Sequence, residues 1–112
     1  MALNNFPAIL IVDTTILNVK VWCEYVFGTA PAIVKQTCDT IKYDLYFLMK
    51  DDIPWEEDPL RNFPNQRPYF FKVFQNELES RKENYFIIEG DFDNRIALAK
   101  KHLNNYISTL PL

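Results

Sequence analysis

Two glycines, Gly28 and Gly90, are all that this 112-residue chain contains. A phosphate-cradling loop or a dinucleotide fingerprint needs several glycines close together, because the backbone itself must approach the phosphates. Neither can be built from these residues. Cysteine is equally scarce: Cys23 and Cys38 stand apart without a Cys-x-x-Cys pair, and His102 is the single histidine. That argues against a zinc site or a disulfide framework and makes a reducing cytoplasm the expected setting. Positive charge is not in surplus either. Twelve Lys and Arg face fifteen Asp and Glu, for a net charge of −3, so a basic nucleic-acid surface is not expected. The apolar run at residues 6–12 has no basic residue before it and stops at Asp13. It is neither a signal peptide nor a membrane span.

What is present suits a packed globule. Hydrophobic residues make up 48% of the chain and aromatics 15%, with nine Phe and six Tyr. One domain covering residues 1–112 is expected. Residues 8–12 form a continuous aliphatic run ending in Asp13, the pattern of a strand buried on both faces. From Ile16, the positions Val19, Trp22, Cys23, Val26 and Phe27 follow helical spacing, and Gly28 supplies a left-handed stop. Residues 29–41 read as a second short helix with Pro31 in its first turn. Residues 43–49 read as a second strand.

A long amphipathic helix is predicted over residues 66–82, with Phe70, Phe71, Phe74 and Leu78 on its apolar side. Residues 85–88 form a third strand. Asp91 or Asp93 then caps a last helix that buries Ile96, Ala99, Leu103 and Tyr106 or Ile107. Strands alternating with helices imply a parallel sheet. The expected fold is therefore α/β and three-layered, with about three parallel strands and flanking helices.

The segment a core does not need is Ile53-Pro54-Trp55-Glu56-Glu57-Asp58-Pro59-Leu60-Arg61. It follows a strand, and two prolines limit any helix in it to a turn or two. Polar loops at the carboxyl ends of strands are where open α/β sheets bind ligands. A solvated turn is the plain alternative, and Glu57 and Asp58 stand at helical distance from Arg61 for a local ion pair. The run Ile9-Leu10-Ile11-Val12-Asp13 has the form of a Walker B element, in which a strand end presents a carboxylate to Mg²⁺. An Asp where a buried strand turns into solvent gives the same pattern.

In its order of elements, from ILIVDTT through YDLYFLMKDDIPWEEDPLRNFPNQR to YFIIEGDFDNRIALA, the chain resembles the nicotinamide-riboside kinase domain of NadR-type proteins. These are P-loop ATPases of the nucleoside-kinase kind. The resemblance implies ATP and Mg²⁺ as cofactors and a nucleotide or nucleoside as ligand. Asp13 takes the Walker B position, approaching Mg²⁺ through water. The span 51–67 corresponds to the lid, with Arg61 and Arg67 as its catalytic cations, since a guanidinium fork suits phosphoryl oxygens. Trp55, Asp58 and Thr14 are the substrate-binding candidates, and Asp91 and Arg95 fall where related kinases hold the adenine.

Two departures stand out. Thr15 occupies a position where the family usually carries a second Asp, and the first strand with its Gly-rich loop has no counterpart. The chain is expected to be the carboxyl-terminal part of such a kinase, inactive alone. The other reading is a non-catalytic α/β module that binds a partner or forms a homodimer through exposed sheet edges. Trp22 is expected in the core, and His102, beside Lys100 and Lys101, at a helix carboxyl end favoured by the dipole.

Overall fold

The computed structural model describes residues 9–52 and 66–110. They fall into two compact units that divide after Lys42. The first holds α1 (Ile16–Phe27) and α2 (Ala32–Thr40), packed on one another. Helix α1 starts where Asn18 Oδ1 accepts from both the Thr15 N–H and the Thr15 hydroxyl, each at 2.9 Å. The third helical residue thus reaches back to satisfy a donor that the helix leaves open. Gly28, at φ 82°, ends the helix with its N–H donating to the Glu24 carbonyl. Pro31 precedes α2 and its carbonyl accepts from Val34 and Lys35. Leu17, Val21, Ala30 and Cys38 form the buried centre of this unit.

The second unit is a strand–helix–strand–helix run: β1 (Tyr46–Met49), α3 (Arg67–Ser80), β2 (Tyr85–Ile88) and α4 (Phe92–Ser108). The strands pair in parallel with Tyr46 opposite Tyr85 and Met49 opposite Ile88. Helix α3 packs against β1 and α4 against β2. Leu48, Leu78 and Ile88 are buried at their junctions, while Phe70, Phe71 and Phe74 are half-buried beside them. Helix α3 ends in a Schellman turn, in which Glu83 N–H donates to Leu78 O at 2.9 Å and Lys82 N–H to Glu79 O at 3.0 Å. Lys82 occupies the left-handed position at φ 56°, where glycine is usual. Helix α4 is capped by Asp91, whose carboxylate accepts from Asn94 N–H at 2.8 Å.

Four expectations change. The last helix has no fully buried residue, and its Ile96 is exposed. The described residues contain two strands instead of about three, because residues 9–12 take no strand conformation. Ile9, Leu10 and Ile11 are exposed at 56%, 85% and 81%. A strand exists through its ladder of partners, and an aliphatic run that finds none stays outside the sheet. Trp22 is not core: it is 41% exposed and meets Tyr25 edge-on at 6.1 Å. Leu17 and Val21 are the buried positions of α1 instead, while Val19, Val26 and Phe27 are exposed. His102 is not at a helix end, since α4 continues to Ser108. Its ring lies flat on Phe86, with centroids 3.9 Å apart and an interplanar angle of 11°.

Candidate functional site

The densest polar network in the second unit gathers at the carboxyl ends of β1 and β2, the edge at which open α/β sheets receive ligands. Arg95, in the first turn of α4, spans it. Its Nε donates to Gly90 O and one Nη2 to Lys50 O, both at 2.8 Å. The same Nη2 pairs with the Asp52 carboxylate. The Met49 sulfur lies 3.8 Å from Nη1. Asp52 also accepts from Gly90 N–H at 2.7 Å, and Asn94 Nδ2 donates to Glu89 O at 2.9 Å. Lys50 and Glu89 form an exposed ion pair at 3.2 Å across the same ends. The Gly90 amide, and with it the Arg95 charge, hold the Asp52 carboxyl below its ordinary value of 3.8.

Gly90 sits at the crossing point with φ 95°. A Cβ there would press into the Asn94 side chain, 3.0 Å from its Cβ and Cγ. Chain direction and side-chain bonding thus both require glycine at this corner.

Arg67 opens α3 and is half-buried, its Nη2 donating to Asp51 O at 2.8 Å. Two arginines, from the heads of two helices, therefore hold three consecutive residues just beyond β1. Asp91 faces its own helix as the cap of α4. Trp55, Asp58 and Arg61 lie outside the described residues.

Asp13 and Thr14 belong to the first unit, where both are exposed. Thr14 is at φ 71°, a region that a β-branched residue enters only at a cost of about 1–3 kcal/mol. Thr15 has its hydroxyl committed to Asn18, so it does not stand in for a carboxylate beside Asp13. Mg²⁺ at phosphoryl-transfer sites takes one or two carboxylates together with phosphates and waters. Among the described residues no group of three or more His, Cys, Asp or Glu is placed to hold a metal by itself. Behind Thr14 an open apolar groove of about 410 Å³ runs along α1, lined by Val19, Trp22, Cys23 and Val26 among others.

Asp52 is the functional candidate that sequence reasoning passed over. Its signal was present in the acidic pair Asp51-Asp52 closing a strand, but its partner Arg95 is 43 residues away.

Residues 1–95 match the family model of an AAA domain. The chain belongs to this AAA domain family. It is also 30% identical over 89 residues to the trifunctional NAD biosynthesis/regulator protein NadR of Salmonella typhimurium. That alignment covers 75% of this chain and 21% of the relative, so the chain spans about a fifth of that protein's length. No solved structure gives a significant match. The resemblance to NadR-type P-loop domains therefore stands, and a P-loop NTPase family implies ATP and Mg²⁺ in general. No described helix of this AAA domain is long and apolar enough to cross a membrane.

Proposed function

We propose that this chain is the carboxyl-terminal portion of an ATP-dependent nucleoside kinase acting on ribosylnicotinamide or a similar nucleoside. The observation that carries this reading is the 30% identity to a NAD biosynthesis protein, within a span that also matches the AAA domain model. The parallel β1–α3–β2 unit supports it, because its carboxyl rim collects Arg67, Arg95 and the head of α4 where a ligand would approach. In this reading Asp13 is the metal-side carboxylate, Thr14, Trp55 and Asp58 are substrate-side residues, and Arg61 and Arg67 are the lid cations.

Phosphoryl transfer depends on positioning and on stabilising charge, and two separated glycines do not make a Gly-rich cradle for the phosphates. Both glycines are already used at left-handed corners that end a helix and a strand. Isolated, the chain is expected to bind Mg²⁺-ATP with a dissociation constant weaker than about 10 μM, near −7 kcal/mol, by calorimetry. Ribosylnicotinamide at millimolar concentration should shift resonances of Arg67 and of the residues after β1 in the NMR spectrum. Complete indifference to that nucleoside would overturn the reading.

A second reading, a self-associating module, is favoured by one observation: residues 9–11 and the outer face of α1 expose large aliphatic and aromatic side chains. Neither strand of the sheet has a second partner among the described residues. Open edges and apolar patches are templates for another chain. Light scattering after size exclusion should show a dimer; a clean monomer at micromolar concentration removes this reading.

A further inference from the structure

We infer that Arg95 is a positioning residue that clamps the two strand ends through Asp52, and that it does not itself contact the nucleotide. The geometry assigns the role. Nε, Nη1 and Nη2 all face partners within the protein, and the Arg95 side chain is only 12% exposed. Those partners come from two places, Met49, Lys50 and Asp52 at the end of β1 and Gly90 at the end of β2, and Arg95 joins both to α4. A lysine is a single point charge and cannot reproduce this fork.

Three charged neighbours of the clamp among the described residues have partners of their own. Lys50 pairs with Glu89, Arg67 bonds the Asp51 carbonyl, and Asp91 caps α4. With Asp52 fixed, the backbone carbonyls of Lys50 and Gly90 are held by one guanidinium. The rim then presents a preset shape to a ligand without rearranging when one arrives. The functional half of this inference rests on reading the rim as the ligand-facing edge; the clamp does not.

The test is an NMR pH titration of the intact chain, in which two glycine amides provide probe and control. The Gly90 amide donates to the Asp52 carboxylate and should titrate with it, at a midpoint below 3.8, while Gly28 should not follow. Asp52→Asn should abolish that transition. Arg95→Ala should raise its midpoint and speed amide exchange at Gly90 by about tenfold, as loss of a charge-assisted contact does. Arg95→Lys should fail to restore exchange.

If Gly90 does not titrate, or Arg95→Ala leaves its midpoint in place, the clamp is refuted. Should Arg95→Ala not fold, the wild-type and Asp52→Asn titrations still decide. Mg²⁺-ATP that shifts the Arg95 Hε resonance and erases the Gly90 transition would make Arg95 a nucleotide contact and overturn the inference. A chain that ignores ribosylnicotinamide yet keeps the Gly90 transition would sink the kinase reading and leave the clamp standing.

Discussion

The two units of this chain solve the same problem with unequal success. In the second, two strands and two helices cover one another, and the polar groups at the strand ends are tied together by Arg95, Asp52 and Gly90. In the first, two helices bury four small or aliphatic residues between them and leave Trp22, Val26, Phe27 and the run 9–11 facing outward. The contrast teaches that an apolar pattern specifies a surface to be covered, and that what covers it must come from elsewhere in space.

The comparison breaks hardest at Leu78, which is 2% exposed. Leu78→Ala should lose about 2–5 kcal/mol. Amide exchange should show protection falling in β1, β2 and α3 while α1 and α2 keep theirs; an equal fall in both would make the units one cooperative block. Next come the glycines, one in each unit. Gly90→Ala meets Asn94 as well as a left-handed φ, and should destabilise by about 2–3 kcal/mol. Gly28→Ala finds open space and should lose only about 1 kcal/mol in the same thermal melts.

Smaller effects sharpen the contrast. Lys82→Gly relieves a left-handed lysine in the Schellman turn and should stabilise the second unit by about 0.5–1 kcal/mol in urea. Ile11→Ser should change stability by no more than about 0.5 kcal/mol while lowering light scattering, since that side chain is 81% exposed. The smallest effect is the pH dependence at Asp52. Its carboxyl is depressed, so its contribution is complete above 3.8 and fades only as pH falls through the lower folded value. Gly90 protection should therefore persist at pH 5 and fail in stronger acid.

Much of the second unit was legible in the sequence. The strand expected at residues 85–88 is β2, closed locally by Gly90-Asp91, and the amphipathic stretch read over residues 66–82 from Phe70, Phe71, Phe74 and Leu78 became α3. In the first unit, Gly28 and Pro31 marked helix boundaries for the same reason. The failures are all non-local. Whether residues 9–12 become a strand depends on a neighbour, and which face of α1 is buried depends on what lies against it. The Asp52–Arg95 clamp and the Phe86–His102 stack join residues that spacing cannot connect. Lys82 carries no sequence mark of its left-handed backbone, which the Schellman turn imposes.

The parallel register of β1 on β2 also sets a tempo. Lys50 and Glu89, which close the strand ends, are 39 residues apart in the chain. Closing a loop of that length forfeits about 3 kcal/mol of chain entropy before any strand contact repays it. The helical pair α1–α2 needs only the short turn between Phe27 and Ala32. Folding of this chain should therefore be heterogeneous in time: a helical hairpin formed within microseconds, and a sheet that waits on the slower search of α3 and β2 for β1.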